Sequence, residues 1–325
     1  MGVPETSTQA VPFAPARALA KPPPIVIRDV VKVLGGRRVL DGVTLSVPAG
    51  GISALMGPSG VGKTVTVKLI LGLMNPDRGE VFLDGRSVPD MTEKELACAC
   101  LRCGVLLQGS TLFECGLFGN LSIHDNITFA LAQAGTAKSE QDAMAADWLR
   151  EVGLAAHAEK RPFELSAGMR KRIALARALC TPAPILVLDD PDTGLDPVRL
   201  NMLCDLVMRV QAERSATVLI TTHNVGVARR MADYVAVMND GVIAAWGPTA
   251  DVLPSRHDRS TGIPNFANDF LNGRADTALD PGEPPAELAG RPPSEPREWL
   301  VWTLVVLACL CLLLIIGIPV FIALS

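Results

Sequence analysis

Short hydrophobic runs separated by polar turn residues dominate the first part of the chain and predict β-strands. Three runs, rich in β-branched residues, lie at 25–27, 30–34 and 43–47. A fourth run, 52–56, is mostly apolar, and a helical period follows it over residues 65–73. The pattern predicts antiparallel strands ahead of a unit made of a strand, a loop and a helix.

Helical periods dominate the middle of the chain, and apolar strands interrupt them. We predict helices at 91–102, 125–133, 139–152, 165–179 and 197–213, and strands at 80–83, 104–107, 185–188 and 217–221. Continuous apolar strands that alternate with helices are typical of a parallel sheet covered on both faces. The predicted fold class is therefore α/β.

Both ends of the chain differ in composition from the part between them. Residues 1–24 are rich in proline and small or polar residues, so we predict a disordered or polyproline-like leader. Residues 275–298 are rich in proline, alanine and acidic residues, which predicts a linker. Residues 299–324 then carry no charged side chain.

The uncharged segment 299–324 is long enough to form a transmembrane helix. At a helical rise of about 1.5 Å per residue it extends about 39 Å, whereas a bilayer core is about 30 Å thick. Trp299 and Trp302 lie where an interfacial belt is expected, and Arg291 and Arg297 precede the segment. We predict a single-pass anchor in the plasma (inner) membrane, with the catalytic part on the cytoplasmic side.

The composition argues against a nucleic-acid surface and against a secreted disulfide scaffold. The chain has 325 residues, 20% charged residues and a formal net charge of −4, so we expect no nucleic-acid partner. Its cysteines are scattered, which favours a reducing compartment. Cys98, Cys100 and Cys103 lie close together, but their spacing across a helix end favours small packing residues over a metal site.

A glycine-rich loop between strand 52–56 and the next helix carries the strongest chemical signal. It fits G-x-x-x-x-G-K-[ST] and consists of Gly57, Pro58, Ser59, Gly60, Val61, Gly62, Lys63 and Thr64. Its glycines let successive N–H groups turn toward a phosphate chain, and the helix N-terminus adds partial positive charge. We expect Lys63 to reach the β- and γ-phosphates and the Thr64 hydroxyl to bind Mg²⁺. The flanking strand and helix disfavour an ordinary glycine-rich loop.

Two adjacent carboxylates follow the apolar strand 185–188. Hydrolysis of a phosphoanhydride needs a metal, a group that holds the metal and a group that orients water. We expect Asp189 to hold the Mg²⁺ shell and Asp190 to face the γ-phosphate and the attacking water. A solvated strand end is the alternative, and the phosphate loop disfavours it. His223 follows strand 217–221, at an edge where ligand sites of α/β folds gather.

These motifs resemble, in order and spacing, those of ATP-binding cassette (ABC) transporter ATPases. The matching segments are 57–64, Gln108, 165–169, 185–190, 193–196 and His223, and the resemblance covers residues 25–274. It implies an ABC-type P-loop NTPase fold with a parallel-sheet core, an antiparallel β region and a helical subdomain. It also implies a homodimer, or a dimer with a paralogous ATPase, that encloses two ATP molecules and acts on integral-membrane permease subunits.

The same resemblance implies roles for residues outside the phosphate loop. Ser166, a predicted helix N-cap, and Gly168 would contact the γ-phosphate bound by the partner subunit. Gln108 would sense Mg²⁺ and couple to the membrane subunit, and His223 would contact the γ-phosphate. Leu34 takes the position where an aromatic residue usually stacks on adenine. ATP and Mg²⁺ are the implied ligands.

Finer features look like the ATPases of Mce/Mla-type lipid transporters. The segments concerned are 168–172, 190–199, 222–224 and 270–274. This resemblance implies a lipid, sterol or fatty-acid cargo, moved across the cell envelope with Mce-type lipid-binding subunits. Another cargo, such as an amino acid, phosphate or a drug, stays open because cargo contacts lie in other subunits.

Four departures from the family pattern bear on activity. Asp190 stands where glutamate is usual, and one methylene less leaves the carboxylate about 1.5 Å farther from the water. Ala167 replaces a glycine, Leu34 replaces an aromatic residue, and the segment after Gln108 is longer than usual. A membrane-tethered regulator that hydrolyses ATP poorly is therefore a competing hypothesis.

Overall fold

A computed structural model describes residues 24–108 and 116–253. The predicted linker and transmembrane segment lie outside these residues, as do nearly all of the predicted leader and residues 109–115, which follow Gln108. Across the two described ranges, no helix combines the length and the apolar character that a membrane span requires.

The described ranges contain two sheets and a set of helices. The strands are β1 (Ile25–Leu34), β2 (Arg37–Val47), β3 (Ile52–Met56), β4 (Arg78–Leu83), β5 (Arg86–Ser87), β6 (Cys103–Leu106), β7 (Ile185–Asp189), β8 (Thr217–Thr222), β9 (Tyr234–Asn239) and β10 (Val242–Pro248). The helices are α1 (Lys63–Ile70), α2 (Glu93–Leu101), α3 (Ile123–Gln133), α4 (Lys138–Glu151), α5 (Ala167–Cys180), α6 (Pro197–Arg214), α7 (Val225–Met231) and α8 (Thr249–Val252).

An antiparallel sheet with the strand order β2-β1-β4-β5 is built from the first strands of the chain. Ile25 on the central strand β1 lies opposite both Val47 on β2 and Leu83 on β4. The predicted runs 25–27 and 30–34 form one strand, β1. The pairing register with β2 shifts between the two runs, and both runs remain paired with β2. The sheet confirms the predicted antiparallel β region.

The second sheet is the core of the fold and has the order β10-β9-β3-β8-β7-β6. Its strands run parallel except β10, which pairs antiparallel with β9 at the edge. Every residue of β3, β7 and β8 is buried, as expected for strands covered on both faces. Parallel strands end at one edge, so the loops after β3, β7 and β8 meet there.

Helices α3, α4 and α5 pack on one another and form the helical subdomain that the resemblance implied. Their contact surface is apolar, and its central side chains are at most 1% exposed: Ile127, Leu131, Leu149, Ile173 and Leu179. Asn126 is also fully buried, and its side chain hydrogen-bonds the backbone N–H and C=O of Phe118. That pair of bonds fixes the chain to α3 shortly after residue 116.

Element boundaries and four late elements differ from the sequence predictions. Helix α1 begins at Lys63 rather than at Val65 and ends at Ile70, because the loop leads directly into the first helical turn. Helices α7 and α8 and strands β9 and β10 were missed. The residues of β10 are mostly half-buried and include alanine, glycine and proline, so they lack the strong alternation that predicts a strand.

Candidate functional site

The phosphate loop joins β3 to α1 and has a backbone that only glycine fits at two positions. Gly57 has φ 153°, and a Cβ there would lie 2.3 Å from the Met238 carbonyl oxygen. Gly62 has φ 110°, and its Cβ would lie 2.6 Å from Leu40 Cδ2. Because the Met238 carbonyl oxygen belongs to the backbone, it cannot move aside to make room for a side chain at Gly57.

Lys63 lies inside this loop and is largely buried. Its Nζ donates to the carbonyl oxygens of Gly57 and Pro58, both at 2.7 Å. Burial lowers the pKa of the Lys63 ammonium, and the negative charges of Asp190, Asp189 and Asp192 oppose that shift. A cation held this way is positioned for the terminal phosphates of a nucleotide.

A cleft of about 190 Å³ opens at the edge where β3, β7 and β8 end. It brings together the predicted phosphate-binding, metal-binding and water-orienting side chains. The lining residues are Val39, Ser59, Gly60, Gly62, Lys63, Thr64, Val65, Gln108, Asp189, Asp190, Thr221 and His223. The sequence predictions had not linked these segments by contact, and the parallel topology is what unites them.

Asp189 ends β7 and is 1% exposed. Its Oδ1 accepts a hydrogen bond from the Thr221 hydroxyl, whereas its buried Oδ2 has no hydrogen-bond partner among the described residues. Nearby, the Thr64 hydroxyl lies 3.0 Å from Gln108 Oε1. Carboxylate, hydroxyl and amide oxygens are the donors that Mg²⁺ prefers, so these residues fit that ion.

Asp190 is held in the left-handed region at φ 51°. Its backbone N–H donates to the Thr221 carbonyl oxygen at 3.2 Å and hydroxyl oxygen at 2.9 Å. Its Oδ2 accepts from Gln108 Nε2 at 2.9 Å and from the Thr193 hydroxyl. His223 Nδ1 lies 3.4 Å from the other carboxylate oxygen. The carboxylate is therefore tied to the loops after β6 and β8 and to its own turn.

This arrangement is supported by three residues, Thr221, Lys171 and Asp192, which the sequence had not singled out for the site. Thr221 contacts both aspartates, and Lys171 Nζ donates to the carbonyl oxygens of Asp190 (2.6 Å) and Thr193 (2.8 Å). Asp192 accepts a hydrogen bond from Thr222, and burial raises the pKa of its carboxyl group. Only the polar start of helix 165–179 hinted at Lys171.

The predicted signature residues lie apart from the cleft. Ser166 caps α5, accepting from the Met169 N–H at 3.3 Å as predicted, and its side chain is exposed. Gly168 is in the first turn, where a Cβ would meet no heavy atom of residues 24–108 and 116–253 within 4 Å. Within these ranges, the space at the α5 N-terminus is open to another molecule.

Leu34 is 38% exposed and does not line the phosphate cleft. A second cleft of about 180 Å³ adjoins that cleft through the shared residues Val39 and Gly60. Arg37 and Arg38 also line it. This side of the phosphate loop therefore offers apolar and guanidinium groups to a ligand.

The three clustered cysteines, Cys98, Cys100 and Cys103, differ in their surroundings. Cys98 is exposed, whereas Cys100 and Cys103 are partly buried and donate to the carbonyl oxygens of Leu71 and Ala99. Burial raises the pKa of Cys100 to about 11 and that of Cys103 to about 12. Both sulfurs are therefore protonated at neutral pH.

Comparison with known proteins places these observations in one family. A family profile described as ABC transporter matches residues 40–193. The chain is 38% identical over 251 residues to the "Probable ribonucleotide transport ATP-binding protein mkl" of Mycobacterium leprae, covering 77% of this chain and 69% of the relative. This chain belongs to the ABC transporter family. Within it, the chain is an ATP-binding subunit and an ATPase.

More distant ABC relatives share the same fold. The "Methionine import ATP-binding protein MetN" of Caulobacter vibrioides is 35% identical over 231 residues, covering 70% of this chain and 68% of the relative. The solved "Dimeric structure of a post-hydrolysis state of the ATP-binding cassette MJ0796 bound to ADP and Pi" is 26% identical, with a TM-score of 0.62. That alignment covers 69% of this chain and 98% of the solved chain.

Proposed function

We propose that this ABC ATPase binds Mg²⁺-ATP in the cleft between the phosphate loop and the ends of β7 and β8. The supporting observation is the convergence of one cation, several oxygen ligands and an imidazole on that cleft: Lys63, Thr64, Gln108, Asp189, Asp190 and His223. Bound Mg²⁺ would neutralise charge on the β- and γ-phosphate oxygens.

Each group has a role that follows from its position. Loop N–H groups and Lys63 hold the phosphates, while Thr64 and Asp189 supply oxygens to the metal. Asp190 orients the attacking water, and its carboxylate is kept in place by Gln108 and the loop after β8. Positioning of this kind accounts for most catalysis in phosphoryl transfer.

Equilibrium binding of ATP by the full chain tests the assignment of the phosphate loop. Lys63→Ala removes the loop cation, so ATP affinity should fall by roughly 10-fold or more. Lys68→Ala is the matched control, since Lys68 lies on the same helix but does not line the cleft. Equal affinities for the Lys63→Ala variant and the parent would refute the assignment.

We also propose that two subunits complete each site, with Ser166 and Gly168 of one subunit facing ATP bound to the other. Support comes from the open, capped N-terminus of α5, which suits an anion. The related MJ0796 cassette is also described as dimeric. The partner subunit is a second copy of this chain or a paralogous ATPase, which acts on membrane permease subunits.

Mixing two inactive variants tests this composite site. Ser166→Asp keeps a good N-cap but places negative charge toward the γ-phosphate, and Lys63→Ala disables the loop. A mixed dimer would contain one site with an intact loop and an intact Ser166, so mixing should restore activity in a homodimer. No restoration would exclude the homodimer and direct the search to a co-purifying paralogue.

For the cargo, we propose lipids, sterols or fatty acids, moved across the cell envelope with Mce-type lipid-binding subunits. Support comes from the signature and loop segments 168–172 and 190–199, which look like those of Mce/Mla-type ATPases. The name of the Mycobacterium leprae relative refers instead to ribonucleotide transport. Transport of labelled sterol, fatty acid and ribonucleotide in a deletion strain, complemented by parent or Lys63→Ala, distinguishes these cargoes.

The subunit is proposed to work at the cytoplasmic face of the plasma (inner) membrane, anchored by residues 299–324. Support comes from their uncharged sequence and the flanking tryptophans. Without partner subunits, the full chain should sediment with membranes, and a chain ending at residue 298 should not. Membrane association of that shorter chain would contradict the anchor.

A further inference from the structure

Asp192 is a buried carboxylate that supports the cleft without lining it. It is 6% exposed and lies two residues after Asp190, in the turn between β7 and α6. A carboxylate is rarely buried without a partner that repays its desolvation. Asp192 is therefore expected to have a polar partner within the protein.

The partner of Asp192 belongs to the loop after β8. Asp192 Oδ2 accepts a hydrogen bond from the Thr222 hydroxyl at 2.7 Å, and that hydroxyl oxygen also accepts from the Asn224 N–H at 2.9 Å. Asn224 in turn caps α7, because its side-chain oxygen accepts from Gly226 and Val227. The segment on both sides of residue 223 is thus fixed by side-chain bonds.

His223 is the one residue between these two anchors. Its side chain is 51% exposed, and its Nδ1 lies 3.4 Å from Asp190 Oδ1. One side-chain oxygen or nitrogen atom from each of Asp190, Asp192 and His223 lies within 4.8 Å of those of the other two. A half-exposed imidazole has little packing of its own to hold it, so its position depends on its backbone.

We propose that Asp192 is a positioning residue for hydrolysis. Through Thr222 it ties the turn after β7 to the loop after β8, and so holds the His223 imidazole beside Asp190. This inference rests on the proposed role of His223 at the γ-phosphate. A displacement of about 1 Å at such a group can cost about 10²-fold in rate.

Steady-state hydrolysis by the full chain tests the proposal with two pairs of variants. Asp192→Ala and Thr222→Val remove the bond, and each should lower kcat roughly 10-fold or more while the KM for ATP stays within about 2-fold. Asp192→Asn and Thr222→Ser keep an acceptor or a hydroxyl and should retain most of the activity. Asp205→Asn, on the exposed surface of α6, is the matched control.

A double-variant comparison shows whether Asp192 acts through His223. In a His223→Ala background, Asp192→Ala should cause no further loss of kcat, because the group it positions is absent. An equal loss in both backgrounds would overturn the proposal, as would parental kcat in Asp192→Ala or Thr222→Val. If His223→Ala falls below detection, the contrast between Thr222→Val and Thr222→Ser decides.

The same series separates failure of this inference from failure of the proposed site. Parental activity in His223→Ala would refute the assigned role of His223 and this inference with it. Impaired His223→Ala with parental Asp192→Ala would refute only the inference. Thermal unfolding and ATP affinity show whether each variant is folded. If Asp192→Ala is unfolded, Thr222→Val takes its place, because it removes the same hydrogen bond and leaves Asp192 present.

Discussion

Replacement of Asp190 by asparagine removes the negative charge from the centre of the cleft while leaving the size of the side chain unchanged. In the parent, Gln108 Nε2 lies 2.9 Å from Asp190 Oδ2, and the Thr193 hydroxyl donates to the same oxygen. The amide oxygen of asparagine can still accept from both groups. The backbone bonds from residue 190 to Thr221 do not depend on the side chain. The fold should therefore tolerate Asp190→Asn.

The expected loss is in hydrolysis rather than in binding. A positioned general base typically contributes about 10²- to 10⁴-fold in rate. Because the aspartate is one methylene shorter than the usual glutamate, we expect the lower end, about 10²-fold or about 2.7 kcal/mol in activation free energy. ATP affinity should stay equal or rise, since one negative charge near the phosphates is lost.

Phosphate release and ATP binding, measured on the same preparations, test this prediction. Asp142→Asn, at an exposed position of α4, controls for the loss of one carboxylate. A rate for Asp190→Asn within about 3-fold of the parent, with ATP binding intact, would refute the assigned role of Asp190. A loss of ATP binding instead would mean that Asp190 acts in the ground state.

Two further predictions concern the loop and the thiols. Gly57→Ala should destabilise the fold by about 1–3 kcal/mol and weaken ATP binding, because its Cβ would meet the Met238 carbonyl oxygen at 2.3 Å; unchanged unfolding and affinity would contradict this. At pH 8, an alkylating reagent followed by mass spectrometry should modify exposed Cys98 before Cys100 and Cys103. The pKa of Cys100 is raised to about 11 and that of Cys103 to about 12, so both stay protonated and unreactive at pH 8. Equal rates for all three would contradict that order.

The sequence singled out the groups that are proposed to contact a nucleotide, because their chemistry is local. The motif placed Lys63 and Thr64 directly before a helix predicted from residue 65, and Asp189 directly after an apolar strand predicted over 185–188. In the structure, α1 begins at Lys63 and β7 ends at Asp189. The rule that ligand sites of α/β folds gather at the ends of parallel strands also pointed to His223. The cleft contains all four residues.

The supporting contacts could not be predicted, because they join loops far apart in sequence. The Thr221 hydroxyl, which bonds both Asp189 and Asp190, lies in an ordinary buried strand pattern. In the sequence, Lys171 is one of the polar residues at the start of a predicted helix. In the structure, its ammonium donates hydrogen bonds to backbone carbonyl oxygens of the turn after β7. Asp192 acquires a partner only when β7 and β8 are neighbours.

Release of phosphate from Mg²⁺-ATP by the purified full chain, alone and with co-purified membrane subunits, tests the central claim most directly. The account predicts release that requires Mg²⁺ and disappears in Lys63→Ala, with the parent faster than Asp190→Asn by about 10²-fold. Release that is equal in the parent and Lys63→Ala would contradict the account. No release by the parent in either preparation, despite tight ATP binding, would favour the weakly hydrolysing regulator over the transport ATPase.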